Sequence, residues 1–322
     1  MIELKINKNE AGQRLDKMLL KYLNQATSSF IYKMLRKKNI TLNGKKASGN
    51  EKLEENDSVK LFLSDETIAK FRKETKVITH TNTKTKPLDI LYEDENILIA
   101  NKPVGVLSQK SSEKDYSINE QIIDYLLTKG DIYDDTLRSF TPSVCNRLDR
   151  NTSGIITFGK TLKGSQELSS LFRKRSLGKF YRCIVSGEIN SSKLIKGFLV
   201  KDEKTNIVSI YKDDNNGGDP IATEYTPIKS NSEYTYLEIK LLTGKTHQIR
   251  AHLSSIGHPI IGDHKYGDEN KNKNFTLRFQ LLHSYRLEFP TIEDGVLSSL
   301  SNKTIIAPLP VWFDKTLNDV FK

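Results

Sequence analysis

The chain has 322 residues, more than one average domain, so we expect two unequal domains or one large domain with an appendage. An apolar fraction of 36% and a mean hydropathy of −0.51 fit a soluble protein, and no run of about 18 apolar residues predicts a membrane span. The formal net charge of +10 permits an anionic partner without requiring one, so the distribution of the charge matters more than its sum.

The start of the chain and its cysteines predict a cytoplasmic protein. The opening segment "MIELKINKNEAGQRLDK" is charged throughout and has no apolar core, which argues against a secretory signal. Cys145 and Cys183 form no CxxC pair and no disulfide framework, so they are interpreted as reduced thiols. The sequence implies no obligate protein partner, and we expect a monomer.

The first 65 residues carry patterns for two helices and a few short strands. The helices are "AGQRLDKMLLKYL" and "SSFIYKMLRKKN", the second with Ser28 or Ser29 as its N-cap. The segment "ITLNGKKAS" predicts two strands around Asn43-Gly44, which is a strong hairpin signal, and "DSVKLFL" predicts a further strand. This order predicts a small αα-hairpin followed by a small sheet.

Positive charge is concentrated in this segment, where 13 Lys and Arg residues face 8 Asp and Glu residues. On an isolated helix such a basic face is usually just solvated. Here basic residues on the second helix are followed directly by a basic hairpin, which favours contacts with phosphates. The predicted contacts are Lys33, Arg36, Lys37, Lys45 and Lys46. The motif order over residues 1–65 resembles the small RNA-binding domain named after ribosomal protein S-four.

Residues 66–86 are polar and rich in Lys and Thr, which predicts a linker before a large domain at 87–322. In the large domain strands dominate and helices occur irregularly. That pattern predicts an α+β fold with a mixed, mainly antiparallel sheet rather than repeated βαβ units. Residues 188–222 match no motif, and the chain has no GxGxxG or Walker A sequence.

The stretch "CNRLDRNTSG" places Asp149 between Arg147 and Arg150, just before the apolar strand pattern "IITF". Such an acid can be part of a surface ion pair, a helix cap or a carboxylate held for chemistry. Loops at strand ends often carry catalytic groups, because a rigid sheet positions them. The residues of this stretch alone leave the three interpretations open.

Two further segments carry residues suited to a site. In "TGKTHQIRAHL", Arg250 follows His247 by one helical turn, on the same face. In "GKFYRCIV", Lys179 and Tyr181 lie on the same face of a predicted strand. Each has an ordinary structural interpretation, a helix–sheet ion pair for Arg250 and a core tyrosine for Tyr181.

Together these segments resemble the RluA-type pseudouridine synthases. The fingerprint Arg-Leu-Asp-x-x-Thr-Ser-Gly occurs at residues 147–154, and "NKPVG", "KFYRCIVSG", "LLTGKTHQIRAHL", "GHPIIGD..YG" (residues 257–267) and "LLHS" follow the family order. The resemblance covers about residues 87–322, and the S-four-like domain in front of it is the expected companion. One departure is Asn146, where many members have His, and no role is transferred to it.

The resemblance implies isomerisation of uridine to pseudouridine in RNA, most simply in large-subunit ribosomal RNA, with Asp149 as the essential carboxylate. Because burial alone disfavours an ionised acid, Asp149 needs a cation, which the resemblance assigns to Arg250. Tyr181 is expected to stack on the target base. Arg147 is expected to fill the gap left by a flipped nucleotide, and Lys179 and His247 to contact phosphates or loops.

The chemistry implied needs no metal, nucleotide or redox cofactor, and the six histidines show no convincing zinc-ligand spacing. Attack by the carboxylate on the sugar or base and elimination of a sugar proton remain open. Two other classes compete with the isomerase. One is an inactive RNA-binding or ribosome-assembly protein on the same scaffold. The other is a carboxylate-dependent hydrolase, which usually needs two acids.

Overall fold

The computed structural model describes residues 1–7, 10–73, 87–132, 137, 140–215, 217–273 and 275–322. The helices there are α1 (Leu15–Tyr22), α2 (Ser28–Arg36), α3 (Asp65–Phe71), α4 (Ile118–Lys129), α5 (Leu162–Arg173), α6 (Gln248–Ser255), α7 (Glu269–Asn272) and α8 (Val311–Val320). The strands there are β1 (Ile2–Lys5), β2 (Ile40–Leu42), β3 (Lys45–Lys46), β4 (Ser58–Leu61), β5 (Ile90–Glu93), β6 (Ile97–Lys102), β7 (Ser143–Val144), β8 (Ser153–Gly159), β9 (Gly178–Ser186), β10 (Lys193–Asp202), β11 (Ile207–Tyr211), β12 (Asp219–Ser230), β13 (Tyr234–Leu241), β14 (Leu282–Glu288) and β15 (Thr304–Ile306).

The first part of the chain forms a small unit with its own core. Its antiparallel sheet has the strand order β1-β4-β2-β3, and α1 and α2 pack together and share one apolar cluster with the sheet. The predicted hairpin is present, and Asn43 and Gly44 both have positive φ, as its tight turn requires. The N-cap of α2 is Thr27 rather than the predicted Ser28 or Ser29, because the Thr27 hydroxyl accepts the Phe30 N–H.

The predicted linker begins with a helix instead of irregular chain. Residues 65–71 form α3, capped by the Ser64 hydroxyl, which accepts the N–H of Thr67. Ile68 of α3 is buried in the same cluster as α1 and α2, an apolar anchor that the polar composition of the segment concealed. The rest of the predicted linker, 74–86, lies outside the described residues, and the domain boundaries stay a prediction.

The second part is built on one large sheet with the order β11-β10-β12-β13-β9-β14-β8-β6-β5, and β7 and β15 add at the sides. Neighbouring strands are antiparallel except for β14 and β8, which run parallel. The predicted mixed, mainly antiparallel α+β fold is therefore confirmed. The structure adds β10, β11 and α8, which the motif-based interpretation did not identify.

Helices pack on this sheet in separate clusters. Residues of β6 and β8 contribute to two cores, one shared with α4 and one with α5. Strands β9, β13 and β14 pack with α6 and α8 in a third core. None of the helices in the described ranges has the length and apolar character that a membrane span requires.

Candidate active site

The loop that carries Asp149 joins β7 to β8 and is braced on both sides of that residue. Before it, the Leu148 N–H donates to the Ser108 hydroxyl at 2.9 Å, and this hydroxyl donates to the Leu148 carbonyl at 2.8 Å. After it, the Arg150 side chain donates to the Gly105 carbonyl at 3.0 Å, and the Gly105 N–H donates back to Arg150 at 2.9 Å. The carboxylate therefore projects from a fixed backbone.

Lys102 connects the loop at residues 103–108 to the loop that carries Asp149. Its ammonium is fully buried and donates to the carbonyls of Pro103 at 3.0 Å, Val106 at 2.7 Å and Arg150 at 3.2 Å. Burial lowers the pKa of Lys102 to about 7, and the negative charge of Asp149 opposes that shift. The Lys102 ammonium therefore cross-links the two loops through hydrogen bonds, and its charge can titrate near neutral pH.

This cross-link predicts a pH dependence of stability. Between the folded pKa of about 7 and the unfolded value of about 10.4, Lys102 keeps its proton in the unfolded chain but has largely lost it in the folded chain. The free energy of unfolding should therefore rise with pH across this window, by at most about 1.4 kcal/mol per pH unit from this group. Denaturant unfolding of wild type and Lys102→Met at pH 7, 8 and 9 measures the difference. Equal slopes for the two proteins would contradict it.

Asn146, which departs from the resembled family, connects the Asp149 loop to β8 through hydrogen bonds. Its amide oxygen accepts from the N–H of Thr157 at 2.7 Å and from the Thr157 hydroxyl at 2.9 Å. Its amide nitrogen donates to the Ile155 carbonyl at 3.2 Å. Neutral Asn146 thus fastens the start of the Asp149 loop to β8 without adding a charge.

Gly154 allows two strands to meet beside Asp149. Its φ is +110°, and a Cβ there would lie 2.2 Å from the carbonyl oxygen of Ser284. Only glycine adopts this conformation at this distance without displacing backbone. The parallel junction of β8 with β14 depends on it, and next to it the Ser153 hydroxyl hydrogen-bonds Nδ1 of the buried His283 at 2.8 Å.

Arg250 of α6 is the cation that pairs with Asp149. Its Nη1 donates to Oδ2 of Asp149 at 2.8 Å, while Nε and Nη2 bind the two oxygens of Asp263 at 2.7 and 2.9 Å. Burial disfavours the charged guanidinium, but the bonds and charges of Asp263 and Asp149 outweigh it, so the pKa of Arg250 is raised. The side chain of Asp263 is 0% exposed and anchors this arginine.

His247 precedes α6 and faces the same carboxylate. Its backbone is left-handed, with a φ of 53°, and its Nε2 lies 3.8 Å from Oδ2 of Asp149. Its Nδ1 lies 2.9 Å from the hydroxyl of Tyr266. Burial lowers the pKa of His247, and the charge of Asp149 works against that shift.

Tyr181 and Lys179 come from β9, on the face predicted from their spacing. Burial raises the pKa of Tyr181 to about 12, so the phenol keeps its proton, and Ser284 hydrogen-bonds it from β14. Burial also lowers the pKa of Lys179, with the positive charge of Arg175 adding to the effect. A protonated phenol and a basic side chain therefore lie on the same strand, β9.

These residues line one cleft of about 1030 Å³. The structure brings together all six site residues predicted in the large domain: Arg147, Asp149, Lys179, Tyr181, His247 and Arg250. The described lining contains ten lysine and arginine side chains, namely Lys110, Arg147, Arg150, Arg173, Arg175, Lys179, Lys201, Lys245, Arg250 and Arg286. Its single acid among the described residues is Asp149, so the cleft is suited to a polyanion.

The structure also separates interpretations that the sequence left open. Asp149 is paired with Arg250, whereas Arg150 binds a backbone carbonyl and Arg147 is exposed at the cleft. The Arg-x-Asp-Arg stretch is therefore not a local ion pair. Among the described residues there is no cluster of three or more His, Cys, Asp or Glu side chains arranged to hold a metal.

The five basic residues predicted in the small unit lie on its surface. Lys33 and Arg36 are exposed on α2 and Lys37 is exposed at its C-cap, while Ile31 and Leu35 of the same helix are buried. Lys45 and Lys46 are exposed on β3. The predicted amphipathic division of α2 is present, and RNA contact by these residues stays a prediction.

Sequence and fold comparisons show which proteins the chain is similar to. A family model described as RNA pseudouridylate synthase matches residues 96–255. An uncharacterized RNA pseudouridine synthase of Mycoplasma genitalium is 31% identical over 323 residues, which covers 96% of each chain. Ribosomal large subunit pseudouridine synthase C of Vibrio vulnificus is 32% identical over 270 residues, covering 82% of this chain and 79% of that protein.

The solved structure of human RNA pseudouridylate synthase domain containing 4 has the same fold. It covers 71% of this chain and 92% of its own, with a TM-score of 0.57 and 23% identity. The chain belongs to the RNA pseudouridine synthase family, whose members are isomerases. An inactive scaffold is not favoured by these comparisons.

Proposed function

We propose that this protein isomerises specific uridines of large-subunit ribosomal RNA to pseudouridine, with Asp149 as the reacting carboxylate. The observation that carries the proposal is the pairing of Asp149 with Arg250 inside a strongly basic cleft. Relatives named as ribosomal large subunit synthases C and D support the choice of RNA. A hydrolase with two catalytic carboxylates fits less well, because Asp149 is the single acid in the described lining.

The reaction requires the bond between uracil and ribose to break, the base to turn and a carbon–carbon bond to form. A carboxylate can serve either as nucleophile or as the base that removes a sugar proton. In both routes Arg250 keeps Asp149 oriented, and the anchor on Asp263 keeps Arg250 from following the substrate. The braced loop supplies the fixed geometry that such a step needs.

The target nucleotide must leave its stack to reach Asp149, at a cost of a few kcal/mol. We expect Arg147, which is exposed in the cleft, to occupy the space left behind and the cations of the cleft to offset the cost through phosphate contacts. Tyr181, buried and protonated, offers a ring face and a hydroxyl to the extruded base. Lys179 supplies a further cation on the same wall.

Residues 1–65 are proposed to act as an S-four-like RNA-binding domain that anchors the substrate. The exposed basic residues on α2 and β3 support this role. We further propose that the protein works as a cytoplasmic monomer, without an obligate protein partner.

The test incubates purified protein with unmodified large-subunit and small-subunit ribosomal RNA transcripts. Pseudouridine is then mapped by carbodiimide-dependent stops of reverse transcription. Stops at discrete uridines of the large-subunit transcript are expected, with none after incubation without protein. Stops confined to the small-subunit transcript would contradict the proposed substrate, and release of free uracil would indicate hydrolysis instead.

Replacing Lys33, Arg36 and Lys37 together with Ala should weaken RNA binding in a salt-dependent way. Each lost phosphate contact reduces the magnitude of the negative slope of log K against log salt by roughly 0.7 to 0.9, so the slope of the triple variant should be about 2 to 3 less negative. Filter binding from 50 to 300 mM salt measures it. The matched control replaces Lys5, Lys17 and Lys70, three exposed lysines elsewhere on the unit. An equal loss in both triple variants would refute a localised patch.

A further inference from the structure

A chain of polar contacts runs from β11 to Asp149 through the side chains of Tyr266 and His247, which lie in two of the supporting motifs. The backbone N–H of Val208 donates to the hydroxyl of Tyr266 at 3.0 Å. This hydroxyl lies 2.9 Å from Nδ1 of His247, and Nε2 of the same ring lies 3.8 Å from Oδ2 of Asp149. Tyr266 and Val208 play no part in the chemistry described above.

The hydrogen-bond donors in this series of contacts indicate where the protons of Tyr266 and His247 lie. The Val208 N–H can only donate, so it occupies one lone pair of the Tyr266 oxygen. The single phenol proton is assigned to the contact with Nδ1 of His247, because Nε2 then carries a hydrogen towards the carboxylate of Asp149 and not a lone pair. A neutral imidazole that accepts at Nδ1 carries its proton on Nε2, the nitrogen that faces Asp149. Burial raises the pKa of Tyr266, so the phenol keeps the proton it donates.

The ring of His247 has little freedom to leave this arrangement. Its side chain is 11% exposed and its ring meets that of Tyr266 edge to face, with centroids 5.5 Å apart. The preceding turn is held by Gln248, whose amide oxygen accepts from the Thr243 hydroxyl and from the N–H of Lys245. The imidazole is therefore positioned before any substrate arrives.

The charges around His247 favour the neutral ring on balance. Asp149 and Asp263 stabilise an imidazolium, whereas Arg250 and Lys265 oppose it. Burial is the largest influence and also opposes the charged ring. The hydrogen bond from Tyr266 acts in the same direction, because an imidazolium would have no lone pair left to accept it.

His247 and Arg250 converge on the same oxygen of Asp149. Nη1 of Arg250 donates to Oδ2, and Nε2 of His247 lies nearest to the same oxygen, so neither group contacts Asp149 through Oδ1. A protonated His247 would hold Oδ2 as a second cation and reduce the basicity of the carboxylate.

We propose that Tyr266 is a positioning residue for the isomerisation: it holds His247 as the neutral Nε2–H tautomer beside Oδ2 of Asp149 and so presents Oδ1 to the substrate. This inference rests on the proposed function of Asp149. It adds Tyr266 to the site and gives His247 a role in orienting the carboxylate, instead of the phosphate or loop contact expected from the sequence.

The first experiment measures kcat and KM of Tyr266→Phe for pseudouridine formation. Loss of one oriented hydrogen bond should lower kcat roughly tenfold and leave KM nearly unchanged. With no phenol donating to Nδ1, His247 should take up a proton more readily, so the acid limb of the kcat profile should move up by roughly 0.5 to 1 pH unit. The control is Tyr125→Phe, which removes a phenol–carboxylate hydrogen bond of 2.9 Å to Glu93 outside the cleft.

A double-mutant cycle separates positioning from general destabilisation. His247→Gln keeps an N–H donor beside Asp149 but cannot titrate. In that background Tyr266→Phe should have little further effect on kcat and none on the pH profile. An equal fall in kcat in both backgrounds, or an unchanged kcat in the single variant, would overturn the proposal.

Nitrogen-15 spectra of histidine-labelled protein read the tautomer without any activity. Signals of His247 are assigned by their loss in His247→Gln. Wild type should show protonated Nε2 and unprotonated Nδ1, and Tyr266→Phe should show a mixture and a higher titration midpoint. An Nδ1–H tautomer in wild type would overturn the inference. A correct tautomer in a protein that forms no pseudouridine would instead refute the proposed function.

Discussion

Asp149→Asn is expected to reduce pseudouridine formation by a factor on the order of 10⁴ or more, the scale seen when a reacting group is removed from a preorganised site. Asparagine preserves the shape and can still accept from Nη1 of Arg250, but it is neither a nucleophile nor a base. The measurement is a single-turnover assay with excess protein on the large-subunit transcript. RNA affinity should change little, because the cations of the cleft remain.

The fold of Asp149→Asn should survive the substitution. The side chain of Asp149 is 25% exposed, and Arg250 keeps both bonds to Asp263, so the loss in unfolding free energy should stay below about 1.5 kcal/mol. Asp319→Asn on the surface of α8 serves as the matched control for the same chemical change. Wild-type turnover in Asp149→Asn would remove Asp149 from the mechanism.

Arg250→Met is expected to lower the free energy of unfolding by about 3 to 5 kcal/mol, because it leaves the carboxylate of Asp263 buried without its cation. Arg250 binds Asp263 through two hydrogen bonds, and the side chain of Asp263 is 0% exposed. Activity should fall with stability, since Asp149 loses its partner as well. Urea unfolding followed by circular dichroism measures the first effect.

A second substitution separates the two effects of Arg250→Met. Adding Asp263→Asn removes the unpaired charge and keeps an oxygen that can accept from the N–H groups of Lys265 and Tyr266. The double variant should regain much of the lost stability but none of the activity. Recovery of activity together with stability would mean that Arg250 serves the fold and not the reaction.

The sequence predicted which residues line the cleft better than it predicted the hydrogen bonds between them. Asp149, Tyr181 and Arg250 were identifiable because each lies in a recognisable motif, and the fold brings them together. Lys102 lies within the motif "NKPVG", yet three carbonyl acceptors for a buried ammonium become visible only when two loops meet. Tyr266 likewise lies within the motif "GHPIIGD..YG", yet no local pattern encodes its contact with Val208, 58 residues away.

Parts of the fold were missed for a different reason. Strand β10 alternates buried and accessible positions, with Ile195, Gly197 and Leu199 on the buried side, which is an ordinary strand signal. It was overlooked because residues 188–222 match no functional motif. Helix α3 was missed because its single buried residue, Ile68, is surrounded by polar ones. For α3, tertiary contacts more than local composition determine the element, whereas the local signal of β10 was sufficient to predict it.

The parallel junction of β8 with β14 has a consequence for how the protein matures. Ser153 and His283 are 130 residues apart in sequence, yet they pair directly beside the Asp149 loop. Contacts between such distant segments form late in folding, because a long loop must close first. A ribosome that adds about 5 to 20 residues per second would release β14 many seconds after β8. The nascent chain should therefore present the exposed basic residues of its first part early, and it should become able to catalyse the reaction only after β14 emerges.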